Sequence, residues 1–265
     1  MDQRQRFRDL HKTPFILPNP WDIGSAKILA SLGFKALATT SSGFANALGR
    51  LDGRVTREEA VAHADGIAQA TPLPVNADLE NGFGDDPSDV VETIERALAV
   101  GIAGCSIEDY DGHALYAREH AILRIRAAVE ANRASASPLV LTARAENFLR
   151  GNPDLGDTIE RLQAFQDAGA DVLYAPGLKT IDEIRSVASA VDRPLNVLIM
   201  PHGPRVPELF EAGVIRVSTG SAISSAAQSA IVNAARELQG EGTHQFWLDA
   251  LPNMDSVRQA IAGGS

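Results

Sequence analysis

"DAGADVLYAP", residues 167–176, ends a helical pattern on a glycine and passes at once into a short apolar run. The phrase recurs as "SLGFKALATT" at 31–40, "AVGIAGCSIE" at 99–108 and "EAGVIRVSTG" at 211–220. In each, the glycine (Gly33, Gly101, Gly169, Gly213) is expected in the left-handed conformation just past a helix C-terminus. The first two intervals are both 68 residues, room for two βα units of roughly 30 or more residues each. Filling the gaps places strands near 15–19, 36–40, 74–79, 104–109, 139–145, 171–177, 195–200 and 215–220. Helical patterns lie between them, such as "TREEAVAHADGIAQA", "SDVVETIERALAV", "REHAILRIRAAVEA" and "TIDEIRSVASAV", with Thr56, Ser88 and Thr180 as expected N-caps. Eight strands alternating with helices, too apolar for a one-sided sheet, predict an α/β fold, a closed (β/α)8 barrel of the TIM type. An open doubly wound sheet is the alternative, but no G-x-G-x-x-G follows the first strand.

No linker divides the 265 residues, so one barrel domain over 1–265 is expected. After it, "HQFWLDALPNMDSVRQAIAGG" reads as a helical extension over 243–265, whose Phe246, Trp247 and Leu248 need cover and suit a subunit contact. A net charge of −10 argues against nucleic acid or an anionic membrane as the partner. A single cysteine, Cys105, excludes an internal disulfide and a thiolate zinc cluster. The start "MDQRQRFRDLHKTPFIL" lacks the apolar core of a signal peptide, and no apolar run reaches membrane-spanning length. A cytoplasmic protein is the expectation.

In such a barrel the working face is the carboxyl end of the strands. Strand 3 there ends in Asp78 and Glu80, whose spacing of two puts both on one side of a strand. Strand 4 ends in Glu108 and Asp109, and strand 5 runs through Arg144 to Glu146. Strands 1, 2, 7 and 8 run into "NPWD", "TTSSG", "IMPHG" and "STGSA", while the opposite ends carry far less chemistry. Carboxylates crowded in one barrel mouth repel one another unless protonated or joined by a cation. An oxygen-rich set without a histidine or cysteine cluster predicts Mg²⁺ or Mn²⁺ rather than zinc. Arg144 offers a planar fork for a substrate carboxylate. Plainer readings stand beside these: Asp78 and Glu80 as a loop pair, Glu108 and Asp109 as rim ion pairs with Arg144, and Ser41–Gly43 as a turn. Cys105 reads as strand core, and His113 and His202 as solvated loop residues. "STGSA" is a weak phosphate-binding pattern.

Together these motifs resemble the phosphoenolpyruvate mutase and isocitrate lyase superfamily over nearly the whole chain. "NPWDIGSAKILASLGFKALATTSSGFANALGRLDG" resembles the family's opening, "DLENGFG" its D-x-D-T-G-Y-G, and "IED" and "TARAE" its signatures on strands 4 and 5. The resemblance implies a Mg²⁺-dependent barrel acting on small keto or hydroxy carboxylates through an enolpyruvate-like anion. By the same resemblance Asp78 is a direct metal ligand, with Asp52, Glu80 and Glu108 around it. Thr40, Ser41, Ser42 and Gly43 grip the substrate, Arg144 clamps its far end, and Trp21, Asp22 and Asn196 complete the contacts. Asp52, Glu108 and Arg144 are then the catalytic candidates. The family lyases' K-(K/R)-C-G-H loop is missing, because "IEDYDGHALYAREHA" runs straight into a helix; the mutases' histidine on strand 6 falls at Pro176. The expected activity is a Mg²⁺-dependent carbon–carbon lyase, by retro-aldol cleavage or decarboxylation, on a small 2-oxo or 2-hydroxy dicarboxylate. Tyr110, His113 or water replaces the lost cysteine. The alternatives are phosphorus–carbon bond chemistry on phosphonopyruvate and a non-catalytic keto-acid binder. The resemblance also implies a homodimer or homotetramer that exchanges the C-terminal helix.

Overall fold

Successive side chains of a strand point to opposite faces, and here the two faces differ in kind. In β3 (Val75–Asp78), Val75 and Ala77 are buried in the apolar layers, whereas Asn76 and Asp78 line the barrel's inner cavity. β4 (Gly104–Glu108) and β5 (Val140–Arg144) follow suit, with Cys105, Ile107, Leu141 and Ala143 in the apolar layer. The inward set is polar, unlike the branched aliphatics that usually fill such a barrel. The interior is therefore built as a site.

The computed structural model describes residues 2–263. The remaining strands are β1 (Phe15–Leu17), β2 (Leu37–Ala38), β6 (Val172–Tyr174), β7 (Leu195–Leu198) and β8 (Arg216–Ser218). All eight are parallel, ordered β1-β8-β7-β6-β5-β4-β3-β2. The Ala38 N–H donates to the Pro18 carbonyl at 3.0 Å across the seam between β1 and β2, so the barrel is nearly closed. The helices are α1 (Gln3–Leu10), α2 (Ile23–Ser31), α3 (Ser41–Ala47), α4 (Arg57–Ala70), α5 (Pro87–Leu98), α6 (Arg118–Arg133), α7 (Leu155–Ala168), α8 (Ile181–Ala190), α9 (Val206–Glu211), α10 (Ala222–Gly240) and α11 (Gln245–Ala262).

All eight expected strands are present, each shorter at its carboxyl end. Thr56 and Thr180 cap α4 and α8, each closing a capping box with the glutamate three residues on. Ser88 is not a cap: α5 starts at Pro87 behind Asp86, because proline at the first helical position lacks only an N–H that would be orphaned anyway. Gly33, Gly169 and Gly213 are left-handed, with φ of 86°, 107° and 96°. Gly101 is not; α5 has already ended at Leu98, and the Gly101 N–H donates to Asp65 Oδ1 at 3.1 Å.

The unexpected element is α1, which closes the amino-terminal end of the barrel. Its Phe7 is fully buried against Phe15, Ala103, Val140 and Val172. A Cβ on Gly104 would come within 2.7 Å of the Phe7 ring and 2.8 Å of the Val140 carbonyl, so only glycine lets this plug seat. His11 follows, edge-on to Phe7 and Phe15. Its Nδ1 lies 2.8 Å from the Phe7 carbonyl and its Nε2 3.2 Å from Arg216 Nη1. A carbonyl can only accept and a guanidinium only donate, so the partners fix a neutral ring protonated at Nδ1.

At the other end of the chain, α11 packs on α2 and buries Ala260. Trp247, Leu248 and Leu251 are about half exposed on the single chain. No described helix is long and apolar enough to cross a membrane.

Burial, then the Arg216 charge, push the His11 value down from 6.5 to about 3. The unfolded chain thus binds a proton the fold refuses, so stability is full above pH 6.5 and falls from there towards pH 3. Urea melts across this window are expected to show that decline, and His11→Gln, whose amide oxygen can still accept from Arg216, to flatten it.

Candidate active site

The carboxyl ends of β3, β4 and β5 converge on Arg144. Its Nη1 donates to Asp78 Oδ1 at 3.0 Å, its Nη2 lies 3.1 Å from Glu108 Oε2, and Nε and Nη2 donate to Glu146 Oε1 at 2.9 and 2.7 Å. Although burial opposes it, Glu146, Glu108 and Asp78 hold the guanidinium proton well above its ordinary range. Arg150 ties the same acids from one side, reaching Glu146 Oε2 at 3.1 Å and Glu108 Oε1 at 3.3 Å. Its guanidinium lies 4.0 Å over the Tyr110 ring.

Five carboxylates, Asp52, Asp78, Glu80, Glu108 and Glu146, thus surround two guanidinium groups. The surplus of negative charge sits where water is scarce. Burial, then Asp78 and Asp52, push Glu80 up to about 8. Burial lifts Glu108 well above the ordinary carboxylate value, against the pull of Arg144. Burial and Asp78 raise Asp52, which a hydrogen bond from the Ser41 side chain partly offsets. Glu80 lies beyond the end of β3 with φ 48°, so a left-handed turn rather than the strand pleat aims it into the cavity. Such a conformation is strained for a non-glycine residue and gathers at working sites. Among the described residues, no three acids, histidines or cysteines form a tight cage, because Arg144 stands between Asp78 and Glu108. A divalent cation nevertheless fits this donor set: the ligands are all hard oxygens and the excess charge is negative.

Two connected spaces of about 700 and 370 Å3 meet at Ser41, Asp52, Arg144 and Arg150. Glu80, Glu108 and Tyr110 line the wide outer one. Asp78, Thr40, Ser42, Asn196 and Tyr174 line the inner one. Thr40 caps α3, so "TTSSG" is a helix start rather than a plain turn. The Ser41 N–H donates to Asp78 Oδ2 at 3.1 Å. Gly43 is buried, and a Cβ there would meet Thr40 at 2.6 Å and the Trp21 side chain at 3.1 Å. The structure does not bring Trp21 and Asp22 to the cavity wall. Trp21 buttresses Gly43 and accepts a hydrogen bond from His63, and Asp22 caps α2. Asn196 reaches the wall, donating to Ser218 and accepting from Arg216.

The other candidates sort by the same geometry. The Asp109 carboxylate does not pair with the Arg144 guanidinium; it accepts from the Glu146 N–H at 2.8 Å and from Arg161 at 3.0 Å, a buried brace that burial pushes up to about 6. The backbone N–H groups of Thr219 and Gly220 in "STGSA" both donate to Asn19, leaving them unavailable to a phosphate. Cys105 is buried in the outer apolar layer. His113 and His202 sit exposed in turns. Reading strand ends singly passed over the parts played by Glu146 and Arg150; their i, i+4 spacing was the available signal.

The family model for phosphoenolpyruvate phosphomutase matches residues 7–239. The chain belongs to the phosphoenolpyruvate mutase/isocitrate lyase superfamily. It is similar to a solved structure described as a candidate lyase/mutase from Burkholderia cenocepacia J2315, at 48% identity and TM-score 0.93 over 97% of this chain and 95% of that one. It also matches 2,3-dimethylmalate lyase, at 28% identity and TM-score 0.83 over 92% and 90%. A third match is oxaloacetate acetylhydrolase in complex with the product oxalate, at 26% identity and TM-score 0.84 over 99% and 98%. Superfamily members with such names are lyases, mutases and hydrolases of small carboxylates.

In this superfamily member the buried partner of Arg144 is the structural keystone. Glu146→Ala removes the one fully buried acid facing two guanidinium groups, and such a loss costs about 3–5 kcal/mol. Guanidinium chloride unfolding is expected to show a drop of that size, with Glu146→Gln falling between it and the parent.

Proposed function

We propose that the protein is a Mg²⁺-dependent carbon–carbon lyase that cleaves or decarboxylates a small 2-oxo or 2-hydroxy dicarboxylate. The observation that carries this reading is the uncompensated acid of the mouth, Asp52, Asp78, Glu80 and Glu108, standing over a polar cavity. Asp78 and Glu108, with Glu80 and Asp52 beside them, would hold the ion. When bound, Mg²⁺ supplies Lewis-acid stabilisation of the negative charge that develops on the substrate oxygens.

The chain's own residues do the rest. Arg144 is not free to clamp a substrate as its strand-5 position implied, since three acids occupy its fork; it holds those acids at fixed spacing. Thr40, Ser41 and Ser42, on the inner wall, are placed to orient the oxo or hydroxy acid. Asp52, with its raised proton affinity, takes the proton of a 2-hydroxyl. The neighbouring carbon–carbon bond then breaks, and its electron pair passes into the enolate of a small carboxylate. Tyr110, on the wall under Arg150, returns a proton to that carbon. It does so in place of the missing loop cysteine; His113 does not line the cavity. In a 2-oxo diacid the same pair is released by loss of carbon dioxide, giving pyruvate enolate.

The test is pyruvate release from oxaloacetate and from substituted malates with Mg²⁺ present, with phosphonopyruvate followed by phosphorus NMR as the rival. Turnover of at least one diacid is expected, with Tyr110→Phe lowering kcat by about 10²–10⁴ and leaving KM near its parent value. Folded protein that turns over none of the diacids rejects the lyase reading, and turnover of phosphonopyruvate alone replaces it.

A further inference from the structure

Three arginines line the inner space of the barrel, and two of them are spent. Arg144 is paired with three acids and Arg150 with two. The third, Arg216 at the start of β8, is fully buried and has no carboxylate partner among the described residues. Its Nε donates to Asn196 Oδ1 at 2.8 Å, its Nη2 to Thr142 Oγ1 at 2.9 Å, and its Nη1 to His11 Nε2 at 3.2 Å. A guanidinium carries five N–H groups, so one on each terminal nitrogen is left without a protein acceptor. Burial, barely offset by Tyr174, pulls its value down to about 9. A buried cation solvated only by neutral groups is costly unless an anion joins it.

The surroundings fit such an anion. Asn196 donates on to Ser218 Oγ at 3.0 Å, and Ser218 to the Tyr174 hydroxyl at 3.4 Å, so a polar ladder climbs from the floor towards Arg144. Arg216 lies two residues before Ser218 on β8, about 6.6 Å deeper along the strand. A chain with its oxo-acid head at the mouth would reach it with its tail.

We propose that Arg216 binds the far carboxylate of the substrate and so selects diacids over monoacids. The proposal rests on the reading above for the position of the head. It makes the barrel floor, rather than the outer loops, the specificity element.

The test is calorimetric titration of the Mg²⁺-loaded protein with pyruvate and with 2-oxoglutarate. A charge-assisted hydrogen bond is worth at least about tenfold in affinity. The wild type is expected to prefer 2-oxoglutarate by that factor, and Arg216→Met to erase the preference while leaving pyruvate within twofold. Equal wild-type affinities, or an equal loss of both ligands in folded Arg216→Met, overturn the proposal. Absence of all binding sinks the lyase reading too, whereas binding without diacid preference sinks only this one. Should Arg216→Met fail to fold, wild-type crystals soaked in bromide supply the check: an anomalous peak beside the guanidinium is expected, and a bare floor overturns the proposal.

Discussion

A single guanidinium, that of Arg144, gathers acids from β3, β4 and the end of β5 into one mouth. Carboxylates packed this closely in a poorly solvated space would otherwise drive the strand ends apart. Arg144 and Arg150 together cannot neutralise five acids, so the surplus settles on Glu80, Glu108 and Asp52 as raised proton affinity. That imbalance links fold to function. It lets the barrel stand with acid in excess of base at its mouth.

The sheet serves the same end. Apolar residues of β3, β4, β5 and β8 face the helices, which frees the axis for Asn76, Ser106, Thr142, Asn196, Ser218 and Arg216. A barrel interior of this kind needs sealing below, and α1 supplies the seal with Phe7 and a neutral His11. Gly104 is the concession β4 makes to that helix.

The architecture was legible because it follows from local rules. A helix, a glycine and an apolar strand repeat along the chain, and eight such strands allow few arrangements. Three of the four glycines behave as the rule requires; Gly101 departs because its helix has already ended at Leu98, further ahead of the glycine than in the other three. The mouth was legible for a related reason, since charge at strand ends is visible in one dimension. What the chain could not display was who pairs with whom. Arg144 looked like a free clamp and is occupied; Asp109 looked like part of the centre and is a brace to Arg161; Asp22 looked like a contact and is a cap. Arg216 was passed over because it opens its strand, and attention to carboxyl ends misses the floor. Long-range pairing decides Arg144, Asp109 and Arg216, whereas Asp22 is taken by a local bond from the Ser25 N–H.

The central claim is that the acids of the mouth bind one divalent ion that an oxo acid then shares. Electron paramagnetic resonance of Mn²⁺ titrated into the metal-free protein tests it most directly. One tight ion per chain, with a spectrum that changes when oxalate is added and a site abolished by Asp78→Asn, is the predicted result. Mn²⁺ left entirely free in solution, or bound with no response to oxalate, would contradict the account.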